Sequence, residues 1–101
     1  MNIRTLDPQT VVVTGLLELA ATNASQTRDA IRAALSPACR QLDFDLAGVT
    51  FLDSSGLGAL LALHKTLTLQ QGRVRLLNPS PTVQQILELT RLHRVFEIVR
   101  T

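Results

Sequence analysis

The sequence predicts a single α/β domain with a mixed sheet. Three observations carry that prediction. Leu42, Phe44 and Leu46 alternate with Asp43 and Asp45, as in a strand with one face on a core. The stretch from Ser55 to about Leu69 has helical spacing and a high share of leucine and alanine. Strand-like and helix-like segments then alternate along the chain, which favours parallel pairing through right-handed crossovers.

The elements follow in order. Ile3–Leu6 reads as a short first strand, and Asp7-Pro8-Gln9 as a turn, because proline presets one turn dihedral and Asp bonds local backbone. Val11-Val12-Val13 opens a β-branched run that extends to about Glu18. The short connection makes these two strands an antiparallel hairpin. Asn23 with Gln26 resembles a capping box, and Ala24, Thr27, Ile31, Ala34 and Leu35 then form one narrow apolar helix face that Pro37 ends. After the alternating strand, Val49 and Phe51 continue towards Asp53 beyond a kink at Gly48. The next helix carries Leu57, Leu60, Leu61, Leu63, His64 and Leu67 on one broad stripe, with Ala59, Ala62, Lys65 and Thr66 opposite, and Gly72 as its stop. Val74, Leu76 and Leu77 form another strand. Ser80-Pro81 begins a last helix lined by Val83, Ile86, Leu87 and Thr90. Val95–Val99 reads as a short final strand or docked tail. The order is ββαβαβα with that optional strand.

Composition narrows the function. The 101 residues fit one domain, residues 1–101, that buries roughly 60–70% of its extended-chain surface. A hydrophobic fraction of 46% against 18% charged argues against disorder. The net charge is only +2, no dense Lys/Arg cluster occurs, and the three aromatics are all Phe, so neither a basic face nor a stacking platform for nucleic acid is present. Cys39 is the single cysteine, which excludes an internal disulfide and a CxxC site. The apolar run Leu57–Leu63 is far too short for a membrane span. The expectation is a cytoplasmic protein with no membrane or nucleic-acid partner.

The segment Asp53-Ser54-Ser55-Gly56-Leu57-Gly58 is the chemically informative one. It lies where a strand ends and a helix begins. Free backbone N–H groups and the helix dipole make that position suitable for a capping oxygen or a phosphate. On spacing alone, a serine cap is the commoner explanation. Gly56 and Gly58 keep the first turn small enough for another protein to approach. GxSxG is absent, so this is no nucleophile elbow. The lysine of a P-loop and the third glycine of a dinucleotide fingerprint are absent too. Asp53 reads as capping support for the turn. His64 reads as a packed histidine, His93 as a solvated loop residue, and Asp43 with Asp45 as solvent-facing carboxylates on one strand face. No metal site, cofactor or catalytic residue is assigned. A small hydrolase using Ser54 would lack a base and an oxyanion arrangement.

LDFDLAGVTFLDSSGLGALLALHKTL resembles the central signature of STAS domains, in particular the bacterial anti-anti-sigma factors. VVVTG, RVRLLNPSP and VQQILELTRLHRVFEIV extend the resemblance over nearly the whole chain in the same order. The resemblance implies a mixed sheet of about four to five strands packed with about three to five helices, and no catalysis. It implies a partner that is both an anti-sigma factor and a serine kinase, whose binding releases a sigma factor, and a serine phosphatase that reverses the modification. The implied phosphorylation site is Ser54, with Ser55 as neighbour and cap. The implied partner-binding residues are Asp53, Ser54, Ser55, Gly56, Leu57 and Gly58. An alternative within the family is a module of another assembly, such as a lipid transporter subunit, a stressosome-like scaffold or a non-transcriptional partner switch. Two positions depart from the family pattern. Glu18, followed by the apolar LAAT, stands where an aspartate commonly follows the second strand. Arg91 stands where glycine is often found, at a cost of roughly 1–2 kcal/mol if the backbone there is left-handed.

Overall fold

The computed structural model describes residues 1–101. Strands β1 (Asn2–Asp7) and β2 (Thr10–Thr14) form the antiparallel hairpin. A two-residue strand β3 (Glu18–Leu19) leads to helix α1 (Ala24–Ala34). Strand β4 (Gln41–Asp45), a second short strand β5 (Phe51–Leu52) and helix α2 (Ser54–Leu69) follow. Strand β6 (Arg73–Leu77), helix α3 (Pro81–Leu89), a 3-10 turn over Leu92–Arg94 and strand β7 (Glu97–Val99) complete the chain. The main sheet runs β1-β2-β4-β6-β7, parallel except at the hairpin. The mixed sheet and the three helices are those the pattern predicts.

The register sorts the sheet into two unlike faces. Ile3, Val13, Phe44, Leu76 and Ile98 lie in one row across the strands. That row packs with Ile31 of α1, Leu60, Leu63 and Leu67 of α2, and Val83 and Leu87 of α3 in a single core. The adjacent row on the other face is Arg4, Val12, Asp43, Arg75 and Glu97. Parallel strands are usually buried on both faces. Here the second face is closed instead by charged side chains. Asp43, expected in solvent, is only 6% exposed. Its carboxylate accepts from Arg75 Nε at 2.8 Å and from Arg75 Nη2 at 3.0 Å, a bidentate fit. Arg75 and Arg73 both reach Glu97 as well. The alternation places Asp43 and Asp45 on one face correctly, but only strand order brings an arginine over the first of them. Asp45 instead accepts from the Ala47 N–H in the following turn.

Several local expectations are corrected. The second strand ends at Thr14, because Gly15 turns the chain with φ +81°. Glu18–Leu19 is a separate strand paired with Phe51–Leu52. The Asn23–Gln26 capping box does not form. Asn23 Oδ1 accepts from the Ala20 N–H and its Nδ2 donates to the Glu18 carbonyl, so the side chain ties the preceding loop and leaves α1 without a side-chain cap. Helix α2 ends at Leu69 with Gln70 as its C-cap, the left-handed residue beyond it is Gln71 with φ +60°, and Gly72 serves close approach to the Arg40 carbonyl. Ala59 is buried and Leu61 is 40% exposed, so the buried stripe of α2 is rotated towards α1. His64 packs edge-on to Phe96 at 5.5 Å, as a packed histidine should. Ser80 caps α3 by accepting from the Val83 N–H, with Pro81 at its first position.

Arg91 follows the C-cap of α3 with φ +61° and ψ +16°. The left-handed backbone that glycine would suit is therefore present, and a β-carbon is held in it. Arg91→Gly is expected to raise stability by about 0.5–1 kcal/mol, since relief of the left-handed strain exceeds the extra chain entropy of glycine. Urea unfolding measures it, and an unchanged or lowered midpoint would contradict the strain.

Candidate functional site

Both α1 and α2 begin where a strand hands the chain to a helix. The β3–β5 ladder, Glu18 opposite Phe51 and Leu19 opposite Leu52, brings those two handovers side by side. The Thr50 N–H donates to the Leu17 carbonyl at 2.9 Å and extends the contact.

Asp53 then joins them. It is the N-cap of α2, with extended backbone. Its Oδ1 accepts from the Gly56 N–H at 2.9 Å and its Oδ2 from the Ala21 N–H at 3.0 Å. One carboxylate thus caps α2 and anchors the loop before α1. The Gly56 and Ala21 N–H groups stabilise the charged form and hold this carboxyl below its ordinary value. The expectation of a cap formed by Ser55 is corrected. Asp53 supplies the capping oxygen, and the Ser54 and Ser55 side chains are both left in exposed positions.

The glycines divide in the same way. Gly56 is buried, and a β-carbon on it would lie 2.0 Å from the Leu19 carbonyl oxygen. It faces inward and offers no surface to a partner, contrary to its place among the expected contact residues. Its absent side chain is what lets α2 start against β3. Gly58 is exposed and a β-carbon there would meet nothing within 4 Å. Leu57 is half-buried against the core. Ser54, Ser55 and Gly58 therefore form the outward part of the motif, Asp53 its brace, and Gly56 its inner contact.

A shallow cleft of about 330 Å³ opens between the first turns of the two helices. Ala21, Ala24, Ser25, Arg28, Ser55, Gly58 and Ala59 line it. Arg28 and Ser25 were not singled out by the sequence. Nothing in their local pattern marks them, since only the packing of α1 on α2 brings them to Ser55. No three His, Cys, Asp or Glu side chains converge to hold a metal ion. No helix is long and apolar enough to cross a membrane.

The sequence matches the STAS domain family over residues 4–101. The chain belongs to that family. This STAS domain is 39% identical over 67 residues to an anti-sigma F factor antagonist of Lysinibacillus sphaericus, covering 61% of the chain and 57% of the relative. The chain thus aligns with little more than half the length of that relative. The structure superposes on the unphosphorylated anti-sigma factor antagonist SpoIIAA with a TM-score of 0.85 at 28% identity, covering 99% of this chain and 86% of the other. It also superposes on phosphorylated SpoIIAA of Bacillus with a TM-score of 0.78 at 28% identity, covering 99% and 89%.

Two predictions follow from the geometry. Gly56→Ala is expected to destabilise the domain by about 1–3 kcal/mol through overpacking against Leu19, whereas Gly58→Ala should stabilise it by about 0.5–1 kcal/mol through helix propensity. Equal effects in denaturant melts would refute this division. The second concerns acid. The folded Asp53 carboxyl titrates below its unfolded value of about 4. Its stabilisation is complete above that value and is lost as pH falls through the folded value. The thermal midpoint of Asp53→Asn should lie below that of the unaltered protein at pH 7, and the gap should close below about pH 4. A gap independent of pH would remove the charge from the argument.

Proposed function

We propose that this STAS domain is an anti-sigma factor antagonist. It docks on an anti-sigma factor that is also a serine kinase, releases a sigma factor, and is switched off by phosphorylation of Ser54. A serine phosphatase restores it. The domain is a binding module of the cytoplasm and not an enzyme. The observation that carries this reading is that Asp53 takes the capping duty and leaves the Ser54 side chain exposed at the start of α2. A structural serine would be engaged in that cap. The antagonist relative and the two SpoIIAA structures, one of them phosphorylated, give the reading its context.

The switch has a physical basis. A phosphoserine carries about −1.5 to −2 charge near neutral pH. On Ser54 that charge sits one residue from the Asp53 carboxylate, which already occupies the Gly56 N–H. The helix dipole favours an anion there, so the fold tolerates the phosphate. The unfavourable part falls on the docked partner, which must bury or approach that charge. A loss of about 1.4 kcal/mol is already tenfold in affinity.

The test is incubation with the cognate serine kinase and ATP, read by intact mass. One phosphate is expected on the protein and none on Ser54→Ala. Ser54→Asp should weaken kinase binding at least about tenfold with a nearly unchanged thermal midpoint. A protein that binds the kinase but takes no phosphate would turn the assignment to a scaffold of another assembly. Esterase turnover lost in Ser54→Ala would turn it to a hydrolase.

A further inference from the structure

The chain has three phenylalanines, and they are placed unequally. Phe44 and Phe96 are buried in the core, whereas Phe51 is 55% exposed. Phe51 opens β5, the strand that runs through Leu52 into Asp53, the cap of α2. Its cross-strand partner is Glu18. Leu17 directly precedes Glu18 and is 73% exposed. The Leu17 carbonyl accepts from the Thr50 N–H at 2.9 Å and from the Thr50 hydroxyl at 3.3 Å. Backbone pairing therefore holds Leu17 and Phe51 on one ladder. The inward positions of the same two segments are taken by Leu16, Leu19, Val49 and Leu52, all buried in the core. Leu17 and Phe51 are left outside it. Residues 15–22 and 47–55 contain no lysine or arginine, and their only charges are the Glu18 and Asp53 carboxylates.

Resting on the antagonist reading, we propose that Leu17 and Phe51 form an apolar anchor that the kinase anti-sigma factor covers with an apolar pocket when it docks. The place of the pair decides the occupant. A kinase that phosphorylates Ser54 must bring its active site onto the Ser54 hydroxyl, three residues beyond Phe51. The surface that encloses this hydroxyl therefore reaches the ladder. Serine is small and contributes little contact area, so affinity has to come from the side chains that flank it. Aromatic residues are enriched at the centres of such interfaces. Other occupants fit the pair less well. A membrane of anionic lipid would meet two carboxylates and no cation in these segments. A second copy docked ladder to ladder would bring the two Glu18 carboxylates together. The anchor also links docking to the switch. A phosphate on Ser54 places a doubly charged group beside an apolar contact and opposes its desolvation.

The experiment combines initial rates of Ser54 phosphorylation by the cognate kinase with calorimetric affinities in ADP, which prevents phosphoryl transfer. Phe51→Ala is expected to weaken binding and raise KM about tenfold with kcat nearly unchanged, because the ring binds the partner without touching the transferred group. Leu17→Ala should act in the same direction, and the double variant more strongly than either. The control is Leu69→Ala, at a leucine 79% exposed and roughly 22 Å along α2 from Ser54, which should change neither quantity. Thermal melts of all the variants should match the unaltered protein. A Phe51→Ala protein that melts early would be replaced by Phe51→Thr, which keeps strand propensity and faces the same binding criteria. Full-strength binding of Phe51→Ala and Leu17→Ala, with Ser54→Asp still impaired, would overturn the anchor and leave the antagonist reading standing. An equal loss in Leu69→Ala would overturn it too, since the effect would not be local. Self-association of the protein alone that disappears in Phe51→Ala would give the pair to a second copy. Binding to phosphatidylglycerol vesicles that disappears in the same variant would give it to a membrane. Failure of the unaltered protein to bind the kinase would overturn the antagonist reading and the anchor with it.

Discussion

The Asp53 carboxylate accepts backbone N–H groups from residues on either side of it, three positions ahead at Gly56 and 32 positions back at Ala21. Those donors belong to two different strand-to-helix connections. A single charged group therefore fixes the start of α2 and the loop before α1 relative to each other. The arrangement needs Gly56 as well, because a side chain there would collide with the Leu19 carbonyl and push α2 off β3. Carboxylate and missing β-carbon act on the same contact from opposite sides. With both in place, Ser54 and Ser55 are relieved of structural duty and stay available at the surface.

The sheet explains why the two helix starts meet at all. Strands β2 and β4 are parallel neighbours, so the chain leaves both at the same edge of the sheet. The short β3–β5 ladder continues that parallelism beyond the main sheet and draws the two exits together. The polar face opposite the helices contributes through Asp43. A buried carboxylate is tolerated only when paired and hydrogen-bonded, and the fork of Arg75 satisfies both of its oxygens. That pair clamps β4 to β6, the central strands from which the chain passes towards α2 and α3. Side-chain charge thus does for this face what a second layer of helices does in most parallel sheets.

Much of this was legible in the residues. Alternation in β4, proline and serine at the start of α3, and the leucine spacing of α2 each report a local preference that the fold obeys. The serine pair at a strand-to-helix junction was legible for the same reason, because junction chemistry is local. What escaped the pattern involves partners far apart in the chain. A two-residue strand such as β3 has too few residues for a periodic signal. Asn23 had the sequence of a cap and spent its hydrogen bonds on Ala20 and Glu18 instead, because the loop into α1 folds back on β3. Asp43 alternates outward as expected, yet its burial depends on Arg75, 32 residues away.

The amino-acid order by itself determined the fold class, the succession of its main strands and helices, and the place of the serine motif at a helix start, since these rest on periodicity, turn chemistry and short-range capping. Tertiary structure alone decided which oxygen caps α2, which glycine faces inward, and that Arg28 of one helix stands across a cleft from Ser55 of another. Those outcomes depend on packing two helices over one sheet edge, and no interaction between near neighbours along the chain encodes that distance.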